Sequence, residues 1–117
     1  MHIQTGQRGE ELAFFYLQKR GYKIQERNWR YSRYEIDLIA YDGNTLVFIE
    51  VKTRKSNLYG EPLDFVDDGK QKKIINAAEA YLHQIGHQGE VRFDIVSVLL
   101  QKTKSEIELI QDAFWSE

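Results

Sequence analysis

Glu35, Asp37, Glu50 and Lys52 stand within one stretch, EIDLIAYDGNTLVFIEVK, that otherwise reads as two apolar strands around an Asp-Gly-Asn turn. Three carboxylates and an ammonium are costly to bury in such a hairpin unless they are paired or metal-bound. Strand side chains alternate with period two, so Glu35 and Asp37 share a face of one strand, and Glu50 and Lys52 a face of the next. With the turn near Gly43, Asp37 lies six residues before it and Glu50 seven after, nearly opposite one another. Carboxylates on paired strands approach to about 5 Å at Cβ and repel. A hard divalent cation relieves that repulsion, taking oxygen ligands at about 2.0–2.1 Å if it is Mg²⁺. The pattern predicts a Mg²⁺ or Mn²⁺ site held by Asp37, Glu50 and the carbonyl of Val51. Such an ion polarises a phosphate and lowers the pKa of a bound water. Lys52 would orient that water or stabilise charge developing on phosphorus, with Glu35 or Glu10 as a further ligand or supporting partner. The chemistry expected is phosphodiester hydrolysis. The competing reading is a plain cross-strand salt bridge on a solvated face, because Glu-x-Lys is common in charged chains. Asp37, its register across the turn and the apolar neighbours favour the metal site.

The elements that must position these residues follow from periodicity. Thr5 to Arg20 is helical, capped by Thr5 and stopped by Gly21, with Ala13, Tyr16, Leu17 and Arg20 on one stripe. Glu10 falls at the edge of that stripe and points towards the sheet; the alternative is a first-turn glutamate favoured by the helix dipole. Tyr22 to Tyr31 alternates as a polar edge strand, with Tyr22, Ile24, Glu26 and Asn28 on one face and Lys23, Gln25, Arg27 and Trp29 on the other. Tyr34 to Tyr41 and Thr45 to Thr53 form the hairpin, the latter apolar on both faces and therefore central. A loop from Arg54 to Val66 contains Gly60 and Pro62. Asp67 or Asp68 caps a second helix carrying Ile74, Ala78, Tyr81 and Ile85, and Gly86 ends it. Val91 to Leu100 and Ile107 to Ile110 are strands around a polar turn near Lys102 to Ser105. Helix, three strands, helix, two strands predicts an α/β fold, a mixed sheet with helices on its faces.

Lys70, Lys72 and Lys73 crowd the start of the second helix, where cations oppose the dipole and a bound anion reverses the penalty. Lys70 and Lys73 are therefore expected on a nucleic-acid backbone, with Arg54, Lys55 and Arg8 as further contacts. A solvated basic turn balanced by Asp67 and Asp68 is the alternative. Trp29, Tyr31 and Tyr34, beside Arg30 and Arg33, offer stacking surfaces for unpaired bases or simple sheet packing. At 117 residues, 42% hydrophobic and 29% charged, the chain is sized for one domain. It has no cysteine, which removes disulfides and thiolate chemistry. A net charge of −2 does not advertise nucleic-acid binding, although acidic metal ligands would mask it. His2, His83 and His87 lack ligand spacing, and no P-loop or dinucleotide fingerprint is present. The polar start and the absence of a long apolar run predict a cytoplasmic protein with no membrane association.

GQRGEELAFFYLQKRGYKIQERNWR, then EIDLIAYDGNTLVFIEVKTR, YGEPLDFV, Lys70, RFDIVSV and QDAF resemble the small bacterial YraN-like family over nearly the whole chain. That family is assigned to the restriction-endonuclease-like PD-(D/E)xK superfamily. The resemblance implies a single nuclease-like domain over residues 1–117, with a central five-stranded mixed sheet flanked by helices in the order α-β-β-β-α-β-β. It also implies metal and catalytic roles for Asp37, Glu50 and Lys52. Glu10 would correspond to the helical acid of archaeal Holliday-junction resolvases, which act on branched DNA as homodimers. Tyr34 departs from the pattern, since glycine usually stands there. The expected function is a Mg²⁺- or Mn²⁺-dependent DNA endonuclease, on branched or junction DNA. The alternatives are a nucleic-acid-binding accessory protein without cleavage of its own, or a structural domain with a protein partner.

Overall fold

A computed structural model describes residues 5–55 and 68–114. The YGEPLDFV segment, with Gly60, Pro62 and the cap candidate Asp67, lies outside the described residues. Helix α1 spans Thr5–Lys19, followed by β1 (Lys23–Tyr31), β2 (Tyr34–Asp42), β3 (Thr45–Arg54), α2 (Asp68–Ile85), β4 (Val91–Leu100) and β5 (Ser105–Ile110). The strands form one sheet in sequential order, β1-β2-β3-β4-β5. Every pairing is antiparallel except β3–β4, which is parallel because helix α2 carries the chain across. Apolar β3 is central and polar β1 is an edge. The mixed five-stranded sheet with two helices fits a restriction-endonuclease-like α/β fold.

Each helix closes with a glycine in the left-handed region, Gly21 at φ +93° and Gly86 at φ +69°. The amide of Tyr22 reaches back to the carbonyl of Leu17 at 3.0 Å, and that of His87 to Leu82 at 3.2 Å, so the last carbonyls are satisfied. The β2–β3 turn is two residues long, since Asp42 pairs with Thr45. Gly43 at φ +62° takes its first position, as a twist-matched hairpin turn requires.

The two faces of the sheet carry separate cores. Ala13 and Leu17 of α1 pack on Leu38, Val47, Ile49 and Val96. Ile74, Ala77, Ala78 and Tyr81 of α2 pack on Ile36, Ile39, Phe48 and Ile95. Two expectations are corrected. Ile24 and Glu26 do not share a face, because a bulge between them shifts the register. Ile24 packs under α1, while Glu26 accepts a hydrogen bond from Tyr81 of α2 at 3.2 Å. Ile85 is 41% exposed, and Ala77 fills the α2 stripe instead. No helix among the described residues is long and apolar enough to cross a membrane.

At the turn end of β2 the chain is locked by a polar network that sequence reasoning passed over. Asp94 is fully buried and accepts from Arg92 Nε at 2.8 Å, the Tyr22 hydroxyl at 2.9 Å and the Asp112 amide at 3.0 Å. Arg92 also reaches Asp42 at 2.9 Å, and Gln111 donates to the Tyr22 hydroxyl at 2.8 Å. The network ties the α1–β1 joint, β2, β4 and the segment after β5 together. Removing one partner of a buried pair leaves the other charge uncompensated. Arg92→Met is expected to lose about 3–5 kcal/mol in urea unfolding. Asp94→Asn in the same chain should recover part of that loss; a strictly additive double variant would contradict the pairing.

Candidate metal centre

The site is created where two strands part. β2 remains paired with β1 to Tyr31↔Tyr34, and β3 remains paired with β4 to Arg54↔Leu99. The β2–β3 register nevertheless stops at Leu38↔Ile49. The next position would set Asp37 opposite Glu50, and beyond the last pair side-chain carboxylates accept from amides of the opposite strand. The Val51 amide donates to Asp37 Oδ2 at 2.7 Å, and the Asp37 amide donates towards Glu50 Oε2 at 3.4 Å. Alternation breaks at the same point, since Ile36 and Ile39 both join the α2-side core. The paired edge strand is irregular there too, with Asn28 at φ +53°.

Helix α1 brings a further acid into the fork. Its approach to β3 depends on Gly9, where a Cβ atom would sit 1.6 Å from the Thr53 hydroxyl oxygen. The next residue, Glu10, thereby meets the strands, and carboxylate oxygens of Glu10, Glu35 and Asp37 lie within 4.8 Å of one another. Glu50 is 5% exposed and accepts a short hydrogen bond from the Tyr34 hydroxyl. Cations also approach these acids: Lys70 Nζ is 4.0 Å from Glu50 Oε1, Arg30 is 3.0 Å from Glu35, and the Arg27 charge acts on Glu10.

The electrostatics follow from crowding. Burial, then the Glu50 charge, pushes the Asp37 carboxyl up to about 8, against the opposing pull of the Val51 amide. Burial also raises Glu50, although the Tyr34 hydrogen bond and Lys70 oppose it. Glu10 is raised by burial and by Glu35. Partly desolvated carboxylates that repel one another, all hard oxygen donors, suit a divalent cation such as Mg²⁺ or Mn²⁺. The residues present fit that group.

The remaining candidates are distributed around the fork. In an extended strand the N–H and C=O of one residue leave by the same edge, so the carbonyl of Val51 faces the fork with its amide. Lys52 is exposed and, by alternation, lies on the Glu50 face of β3. Lys70 reaches Glu50 from α2, so it stands at the carboxylates as well as at the helix start. Lys73 is exposed and lines a cleft with Tyr31 to Tyr34 and Asn76. Arg54 and Lys55 end β3 roughly 13–16 Å along the strand from Glu50, too far to join the centre itself. Arg8 is exposed on α1, two residues before Glu10. Two contacts escaped the sequence: the Tyr34 hydroxyl on Glu50, and Lys70 beside the same carboxylate. Neither has a local spacing signal, because each joins residues far apart in the chain.

The sequence model of a family described as "Uncharacterised protein family UPF0102" matches residues 9–98. A UPF0102 protein of Chlorobium chlorochromatii is 49% identical over 120 residues, covering 97% of this chain and 93% of its own length. One of Christiangramia forsetii is 43% identical over 114 residues, covering 97% and 96%. One of Cytophaga hutchinsonii is 50% identical over 97 residues, covering 83% and 86%.

The raised Asp37 pKa sets a pH dependence for the metal-free protein. Its folded value, about 8, lies above the ordinary 3.8, so between those values the folded chain holds a proton that the unfolded chain releases. Stability in EDTA should therefore fall as pH rises from about 4 towards 8. Asp37→Asn removes that term while keeping an acceptor for Val51, and should raise the melting temperature at pH 8 by about 5 °C. Thermal melts from pH 4 to 9 check this, and parallel curves for the two proteins would contradict it.

Proposed function

This chain belongs to the UPF0102 family, and we propose that it is a metal-dependent nuclease of the PD-(D/E)xK type that hydrolyses DNA phosphodiesters, with branched or junction DNA as its substrate. The observation that carries the reading is the fork, where Asp37 and Glu50 accept amides of the opposite strand beyond the last pair and Glu10 and Glu35 converge on the same place. An arrangement that raises its own carboxylate pKa values has a stability cost and gains from binding a cation. Asp37, Glu50 and the Val51 carbonyl would hold Mg²⁺ or Mn²⁺, with Glu10 and Glu35 as further oxygen donors. The ion would supply Lewis acidity and a more acidic bound water.

The protein's own groups account for the rest. Lys52 would orient the attacking water and stabilise the charge that develops on the phosphate oxygens. Lys70, beside Glu50, would hold the substrate phosphate or balance the carboxylates once the strand is bound. Lys73 on the next helical turn, with Arg54, Lys55 and Arg8 further out, would follow the DNA backbone. By the resemblance to junction resolvases, two copies would act together on a branched substrate, in the cytoplasm. A second reading is favoured by one contact: the Tyr34 hydroxyl already occupies Glu50 Oε1. A centre restrained in that way suits an accessory protein that binds nucleic acid without cutting it.

Mn²⁺ at about 100 times its dissociation constant should add about 2.7 kcal/mol of stability, and Asp37→Asn should abolish the gain. On single-stranded, duplex, flap and four-way-junction DNA with Mg²⁺ or Mn²⁺, the wild type should cut at least one form. Lys52→Ala, purified identically and equally stable, should be slower by about 100-fold or more. Equal cutting by both proteins would remove the role given to Lys52. Tight binding without cutting would select the accessory reading.

A further inference from the structure

The β1–β2 turn and the start of α2 enclose a cleft of about 310 Å³, lined by Tyr31, Ser32, Arg33, Tyr34, Lys73 and Asn76. It adjoins the metal centre through Tyr34, whose ring forms a wall and whose hydroxyl donates to Glu50. We propose that this cleft receives one unpaired nucleobase of the substrate strand, next to the phosphate presented to the carboxylates. The inference deepens the nuclease reading and takes its substrate class from it.

The walls have the character such a ligand needs. Tyr31 is 42% exposed, an unusual position for a large ring unless something covers it. That ring is not loose. Trp29 lies parallel to it, with centroids 6.4 Å apart and planes 5° apart. Trp29 is itself braced edge-on by Tyr81, at 5.0 Å and 79°. A braced, exposed aromatic ring is a stacking platform whose ordering has already been met by folding. Tyr34 is the direct cross-strand partner of Tyr31, so both rings leave the sheet on one side.

The polar lining is equally selective. Arg33 and Lys73 are cationic and, among the described residues, no carboxylate lines the cleft, so the lining favours a ligand that joins a flat ring to an anion. A nucleotide has that composition. Asn76 carries both a donor and an acceptor, and Ser32 a hydroxyl, which together can match a base edge left open by the absence of a pairing partner. The volume is at the low end for small-ligand sites and has room for one heterocycle but none for a duplex. Ser32, at φ +57°, holds the turn in a conformation uncommon for a residue with a side chain. Tyr31 and Tyr34 thus flank a turn that cannot be rearranged freely.

The test uses two 2-aminopurine DNA probes of one sequence: a fully paired duplex, and the same duplex with the 2-aminopurine as a single-nucleotide bulge. Binding is measured by anisotropy at fixed salt, in EDTA and in Ca²⁺, so that no strand need be cut. The wild type should bind the bulged probe about tenfold more tightly and quench its fluorescence, as stacking of one base predicts. Tyr31→Ala should bring the ratio of the two affinities close to one and abolish the quenching, and Tyr31→Phe should retain both. Asn76→Ala should reduce the ratio without affecting the melting temperature. Equal affinity for the two probes, or a preference that survives Tyr31→Ala, overturns the subsite. If the probes bind equally and Mg²⁺ still supports cleavage, the subsite fails while the nuclease reading stands. A Tyr31-dependent preference without cleavage under any metal keeps the subsite and removes the nuclease.

Discussion

Where β2 leaves β3, two strands of a central sheet expose backbone donors in a partly buried place. The β2–β3 register ends at Leu38↔Ile49, and the amides of Asp37 and Val51 lie beyond that last pair. Buried amides must find acceptors, and here the acceptors are the carboxylates of Asp37 and Glu50. The acids are therefore structural before they are chemical: each serves as an acceptor for the opposite strand. That dual use fixes their positions more tightly than solvent-exposed side chains would be fixed. It also forces them together, with the raised proton affinity that follows. The close seating of α1 on Thr53 through Gly9 adds a third strand-facing acid rather than a compensating cation. The fork is thus assembled with excess negative charge, and a divalent ion is the simplest means of relieving it.

The other end of β2 shows the same fold pairing its carboxylates with a guanidinium. Asp42 is five residues from Asp37, roughly 16 Å along the strand. There, Asp94 has no solvent exposure, yet its oxygens are filled by Arg92, Tyr22 and the Asp112 amide. Hydrogen bonding to Asp94 and Asp42 raises the Arg92 pKa still further, so the guanidinium stays charged. One end of the strand is a closed clamp centred on Arg92; the other is a cluster of acids with Lys70 and Arg30 at its rim.

Much of this was legible in the sequence because the relevant periods are short. The two-residue turn at Gly43 fixes the hairpin register, and that register places Asp37 opposite Glu50. The double-sided apolar pattern of Thr45 to Thr53 makes β3 central, and the glycines after each helix mark where it stops. Strand β1 resisted, because one bulge residue exchanges the two faces and polar composition gives no sign of where it falls. Ile85 keeps the helical spacing of the α2 stripe yet is exposed, because spacing alone does not mark where packing stops. The Arg92–Asp94 clamp and the Lys70 contact join segments separated by whole elements, and no local pattern encodes such distances. The fork itself was partly hidden: alternation places Asp37 on a face, but only loss of pairing explains why its carboxylate meets an amide of the next strand.

Tyr34 bears directly on the site. With glycine at that position Glu50 would lose its hydroxyl donor, and the cleft would lose a wall. With tyrosine, Oε1 of Glu50 is engaged by the hydroxyl and flanked by Lys70, while Oε2 is turned towards the Asp37 amide. Burial and the adjoining carboxylates raise the Tyr34 pKa, so the hydroxyl remains a donor throughout the range in which the acids titrate. The two oxygens of Glu50 are thereby made inequivalent, one tethered to the cleft and one facing the fork. A ligand in the fork meets a carboxylate whose rotation is already restricted, and anything that moves the Tyr34 ring in the cleft acts on Glu50 through that single hydrogen bond. Tyr34 does more than fill space, because its hydroxyl joins the aromatic wall to the acid beside it.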